Sequence, residues 1–366
     1  MLAPPQVEYR VTQEIGWPLC VEVDPRIGWP NVPRETLDWT AMLSAGPTRS
    51  DPTAIATGSH VIEIPPGPRR ARFDEDEFGP PVVELDPPAV ATADSLTRAS
   101  LPAPARPRVF VVANQKGGVG KTTTSVNVAA ALALGGLSVL VVDLDPQGNA
   151  TTALGVDHPP GTPGTYEVLM LGATLADHVA DSPEAPNLKV LPATIDLAGA
   201  EIELVSIVAR ENRLKRALRA YLQNHQADYV FLDCPPSLGL LTLNALVAAN
   251  EILVPIQCEY YALEGVTQLL RTIDLVKGEL NNELRLSTVL LTMFDGRTKL
   301  AAQVADEVRQ HFPTETLPAV IPRSVRISEA PSYGQTVLTY QPSSAGATSY
   351  LEAAQEIARR GVEESA

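Results

Sequence analysis

With 366 residues, 45% of them hydrophobic, the chain can fill one large α/β domain with an extension, or two domains. Its formal net charge of −15 speaks against nonspecific nucleic-acid binding as an average, although a basic strip on one face would escape that average. No run of about 18 apolar residues offers a membrane span, and Met1-Leu-Ala-Pro-Pro lacks the basic-then-apolar order of a leader. Three scattered cysteines (Cys20, Cys234, Cys258) point to a reducing compartment rather than a disulfide framework, so a cytoplasmic protein without a membrane partner is expected.

Residues 1–106 differ in character from the rest of the chain. They hold more than half of the 33 prolines and all three tryptophans, with few apolar patterns of helix or strand length, and are expected to form a disordered extension. Within them Ile15-Gly-Trp-Pro18 recurs as Ile27-Gly-Trp-Pro30, and the acidic run Asp74–Glu77 lies beside Arg69, Arg70 and Arg72. Leu101-Pro-Ala-Pro-Ala-Arg-Pro107 reads as a stiff linker into a folded domain over 107–366.

From Arg108 onward, apolar strand-like runs alternate with helical patterns, which predicts a doubly wound α/β fold on a mostly parallel sheet. Strands are expected at 109–112, 138–142, 188–192, 229–233, 251–255, 286–294 and 319–321. Helices are expected at 122–134, 198–221, 240–249, 263–280, 300–312 and 344–360. Residues 151–185 read as looser and rich in turns.

The chemistry concentrates where strands end. Between the first strand and first helix stands Lys116-Gly-Gly-Val-Gly-Lys-Thr-Thr123, a strand–loop–helix phosphate cradle in which Gln115 replaces the first glycine of the usual pattern. The backbone N–H groups of Gly117, Gly118, Val119 and Gly120 can curl around phosphates, helped by the helix N-terminus. Lys121 would reach the β- and γ-phosphates, the Thr122 hydroxyl would ligate Mg²⁺, and Thr123 completes the motif. Asp233 follows four apolar residues in a Walker B arrangement and would hold Mg²⁺ directly or through water. Asp143 and Asp145, at another strand end, offer one carboxylate for the metal's water shell and one to position the attacking water. The Asp-Pro-Gln-Gly-Asn run is also good turn chemistry in its own right.

Asn114–Thr123, Val142–Asn149 and Leu232–Ser237 resemble the three nucleotide motifs of ParA-type chromosome- and plasmid-partition ATPases. Leu291–Thr298 and Val320–Ser332 resemble that family's later motifs, so the likeness runs from about Arg108 to the C-terminus. Gln115 and Asp-Pro-Gln-Gly-Asn favour this branch over MinD-type relatives. The resemblance implies an ATP-dependent homodimer in which Lys116 reaches across to the partner's phosphates, where a cation offsets charge concentrated between two nucleotides. By the same likeness Asp145 positions the hydrolytic water, Asp143 supports the metal shell, and Met293 and Pro322 line the adenine pocket. No Asn-Lys-x-Asp guanine motif is present, so ATP is expected over GTP. Family members bind DNA nonspecifically as ATP dimers and work with a ParB-type DNA-binding partner on the nucleoid. Arg297, Lys299, Arg323 and Arg326 occupy motif positions suited to that contact.

Other members of the wider class position different cargo, such as a division site, a polysaccharide or a secretion complex, and the ATPase motifs do not separate these from a chromosome or plasmid. A MinD-type membrane cycle needs a basic, bulky amphipathic C-terminal helix, whereas Leu351–Ala366 is acidic and built of small residues. Cys234 and Cys258 sit in apolar settings suited to buried thiols rather than to an iron–sulfur cluster.

Overall fold

In a computed structural model, which describes residues 100–259 and 262–363, all described residues fall within one compact unit, Val83–Ala366. The expected disordered extension, with its Trp-Pro elements and acidic run, lies almost wholly outside the described residues.

Eight strands form one sheet in the order β3-β4-β2-β5-β1-β6-β7-β8, with β1 Arg108–Val112, β2 Val139–Asp143, β3 Ala180–Asp181, β4 Leu188–Leu191, β5 Tyr229–Asp233, β6 Glu251–Gln257, β7 Arg285–Phe294 and β8 Thr316–Pro322. All neighbours pair in parallel except β3, which lies antiparallel against β4. Every residue of β1, β2 and β5 is buried, as a parallel sheet covered on both faces requires. The helices are α1 Lys121–Leu134, α2 Asn149–Ala153, α3 Leu197–Glu203, α4 Arg213–Asn224, α5 Leu240–Ala248, α6 Ala262–Glu279, α7 Lys299–His311, α8 Val325–Glu329, α9 Val337–Tyr340 and α10 Ala345–Glu363. Helices α4, α5, α6 and α7 contribute to one core cluster, and α1 and α10 to the opposite one.

β8 starts three residues before the expected strand and α10 runs three residues past the expected helix, and three further departures from the sequence reading have a clear physical reason. The expected helix over 198–221 is broken: after α3 a short 3-10 turn leads to extended Ile207, and Ala209 adopts a left-handed φ of 53° before α4 begins. Val205, Ile207 and Val208 are β-branched and weak helix formers, and the break lets Leu204 and Leu214 both turn into one core. The edge strand β3 is too short to leave a periodic signal. β6 continues past Pro255, where proline's missing N–H faces a neighbour that has already ended, because β1 pairs with β6 only as far as Val112 opposite Leu253.

Before β1, the Leu101 N–H donates to the Gly135 carbonyl at 2.9 Å. A Cβ on Gly135 would collide with the Leu101 side chain, so the start of the expected linker is seated on the end of α1.

Candidate nucleotide site

In this sheet β1 lies between β5 and β6, so the chain passes to opposite sides of it, and the crevice beyond its carboxyl end is the expected ligand position. The loop from Ala113 to Gly120 fills that place. Gly118 and Gly120 have φ of 74° and 88°, values that strain any residue with a Cβ. A Cβ on Gly117 or Gly118 would meet nothing within 4 Å, so the mouth of the cradle is open.

The loop is fastened at both ends. Buried Asn114 donates from Nδ2 to the Pro255 carbonyl at 2.9 Å and accepts the Lys116 N–H on Oδ1 at 3.0 Å. At the far end the Thr292 hydroxyl on β7 donates to the Val119 carbonyl at 2.9 Å. Sequence reasoning singled out neither residue, because each works through a partner more than 140 positions away.

The two lysines of the motif have different surroundings. Lys121 is buried and its ammonium lies 3.4 Å from the Lys116 carbonyl. Burial lowers its pKa, and Asp233, Cys234 and Asp145 pull the other way. A phosphate would supply the counter-charge that this ammonium lacks. Lys116 instead points to the surface, where its ammonium lies 3.3 Å from the Glu259 carboxylate with both side chains part-exposed. Exposed pairs of this kind contribute about 0–1 kcal/mol, so Lys116 can leave Glu259 at little cost.

Three carboxylates meet beside the loop. Register places Asp143 directly opposite Asp233 on neighbouring strands, and neither is exposed. Asp143 accepts from the Thr151 N–H and hydroxyl at 2.9 and 2.7 Å and from the Asp145 N–H at 3.1 Å. It therefore holds the Asp145–Thr151 turn and through it the position of Asp145. Asp145 accepts the Gln147 N–H on one carboxylate oxygen at 3.0 Å and is 9% exposed. Asp233 accepts the Ser125 hydroxyl on Oδ1 at 2.7 Å, while its buried Oδ2 has no hydrogen-bond partner.

Burial, followed by the facing Asp143, pushes Asp233 up to about 7; burial likewise pushes Asp143 up to about 6. Two buried carboxylates side by side cannot both ionise cheaply without a cation. An orphaned acidic oxygen beside the Thr122 end of α1 is the donor set that a hard divalent cation takes. The residues present thus fit a hard divalent cation such as Mg²⁺.

Met293 has a left-handed φ of 52° directly after Thr292, the residue tied to the cradle. Pro322 ends β8 and pairs with Phe294, which ends β7, so Met293 and Pro322 lie at the carboxyl ends of neighbouring strands. The four cations of the later loops are exposed, but two already have partners. Arg297 grips Asp295 through two bonds of 2.8 and 2.9 Å, which holds that carboxyl down at about 2. Arg326 lies 2.9 Å from Glu329. Lys299 opens α7, and the Arg323 N–H donates to the Phe294 carbonyl at 3.0 Å. Cys234 and Cys258 are buried free thiols. Among the described residues no helix is long and apolar enough to cross a membrane.

A family model described as AAA domain matches residues 107–286. Sporulation initiation inhibitor protein Soj of Bacillus subtilis (strain 168) is 53% identical over 254 residues, 69% of this chain and 99% of that protein. Chromosome partitioning protein ParA of Caulobacter vibrioides (strain NA1000 / CB15N) is 51% identical over 253 residues, 69% of this chain and 94% of that protein. Among solved structures, cobyrinic acid a,c-diamide synthase from Mycobacterium smegmatis with bound ATP analog and magnesium is similar at 42% identity and a TM-score of 0.60, covering 69% of this chain and 95% of that one. With the cradle, its paired aspartates and this level of identity together, the chain belongs to the ParA/Soj family of P-loop partition ATPases.

Proposed function

We propose that the chain is a Mg²⁺-dependent ATPase that dimerises on ATP, binds DNA nonspecifically in that state and segregates a chromosome or plasmid with a ParB-type partner. The observation that carries this reading is the division of labour between the two lysines. Lys121 is buried against the aspartates, whereas Lys116 stands at the rim on a weak pair with Glu259. A rim cation so held is suited to a second phosphate group presented from outside the chain, which couples nucleotide binding to assembly.

In this mechanism the backbone of Gly117–Gly120, with Lys121 and Thr123, binds the phosphates. Thr122 and Asp233 hold Mg²⁺, which when bound neutralises charge developing on the transferred phosphoryl group. Asp145, oriented by the turn that Asp143 secures, positions water. Met293 and Pro322 border the base. The ATPase unit spans residues 107–366, with residues 1–106 ahead of it in the sequence.

Analytical ultracentrifugation with and without ATP, Mg²⁺ and duplex DNA tests the reading. A monomer-to-dimer shift that needs ATP, with DNA bound only by the dimer, is the expected result. Unchanged sedimentation would overturn it.

A further inference from the structure

Five cations, Arg210, Arg213, Lys215, Arg216 and Arg219, fall within residues 210–219 alongside a single acid, Glu211. For a chain of net charge −15 this is a strong local reversal, with Arg213, Lys215, Arg216 and Arg219 on α4 and Arg210 in the turn ahead of it. None of the five has an ion-pair partner among the described residues. Arg210, Arg213 and Arg216 donate instead to the backbone carbonyls of Val205, Met170 and Ala209. Those bonds orient the guanidinium groups without neutralising them. Arg297 and Arg326, by contrast, are matched with carboxylates.

The helix dipole of α4 does not call for this charge. Leu214, Leu218 and Tyr221 bury α4, and its first turn contains no acidic residue. Cations there oppose the helix dipole, at a cost of about 0.3–1 kcal/mol each where exposed. Lys215, Arg216 and Arg219 face solvent. Arg213 and Arg216 border a groove of about 430 Å³ that no carboxylate lines, whereas Lys215 and Arg219 border a separate cavity on the other flank of α4 that also includes Glu283.

Shape decides the class of anion. From Arg213 to Arg219 the cations extend over roughly 9 Å of helix, a strip rather than a point, which suits a ladder of phosphates better than one compact anion. An anionic lipid surface fits less well, because α4 spends its large apolar side chains on the core and has no bulky face to insert. We propose that the α4 strip and its groove form a second contact surface for the phosphate backbone of duplex DNA. The proposal rests on the DNA-binding reading above and adds to it a surface outside the motif cations.

The test uses the full chain with ATP and Mg²⁺, a labelled duplex of arbitrary sequence and a salt series. The variant is Lys215→Ala with Arg216→Ala and Arg219→Ala, three exposed positions outside the nucleotide site. Its plot of log affinity against log salt should be shallower by about 2.7 per engaged subunit, from about 0.9 per lost phosphate contact. Affinity at low salt should fall at least tenfold, while ATP-driven dimerisation and ATPase without DNA stay unchanged. The charge-preserving pair Lys215→Arg with Arg219→Lys should keep the wild-type slope. If the triple variant melts early, Arg216→Gln with Arg219→Gln replaces it, with about 1.8 expected. An unchanged slope in a wild type that does bind DNA overturns the α4 surface and leaves the DNA reading intact. So does a loss confined to vesicles containing phosphatidylserine. A wild type that binds no DNA overturns both.

Discussion

Asn114 carries a prediction drawn from geometry alone. It is 5% exposed and bridges two backbone groups, donating to the Pro255 carbonyl and accepting the Lys116 N–H. Asn114→Ala removes both bonds, and buried Pro255 keeps a carbonyl that water cannot reach. A lost bond costs about 1 kcal/mol and an unsatisfied buried group about 1–3 kcal/mol, so a loss of roughly 2–4 kcal/mol is expected. For a domain of this size that lowers the melting temperature by roughly 5–15 °C. ATP affinity should fall as well, since the loop loses its anchor just before the residues that cradle phosphate. Calorimetry and titration with a slowly hydrolysed ATP analogue measure the two effects. Asn114→Asp keeps the acceptor for Lys116 but loses the donor to Pro255, so it should not rescue stability. If Asn114→Ala melts within about 1 °C of wild type and binds nucleotide equally well, the anchoring role is wrong.

Further outcomes are expected. Lys116→Ala should keep ATP bound but lose ATP-dependent dimerisation and hydrolysis, whereas Lys121→Ala should lose nucleotide itself; sedimentation and nucleotide titration separate the two. Asp145→Ala should bind ATP, turn over at least about a hundredfold more slowly and accumulate as a dimer, while loss of ATP binding would assign Asp145 to structure. The raised pKa of Asp233 favours the folded protonated form, so without metal its stabilising contribution is present below about pH 4 and disappears as pH rises through about 7. Mg²⁺ needs the carboxylate, so the gain in melting temperature on adding Mg²⁺ and ATP should be larger at pH 8 than at pH 6; equal gains would refute the assignment. A chain beginning at Ser100 keeps Leu101 on the end of α1 and should retain wild-type ATPase activity and melting, whereas one beginning at Arg106 should melt earlier.

What the sequence by itself determined was short in range. Glycines at 118 and 120 mark the left-handed turns of the cradle because few other residues tolerate them, and the all-apolar run of β1 marks a strand buried on both faces. An acidic residue ending each of β2 and β5 was visible too. Tertiary structure decided how these pieces act on one another. Asp143 and Asp233 are 90 positions apart, and only the pairing of β2 with β5 sets them side by side. That juxtaposition raises both carboxyls and leaves one oxygen for a cation. Asn114 reaches Pro255, and Lys116 reaches Glu259, only because β1 and β6 are neighbours. The sequence showed four loop cations without showing that two were already paired, nor that those of 210–219 were not. Pairing depends on which side chains the folded chain brings within a few ångströms, and that distance is set by strand order rather than by spacing along the chain.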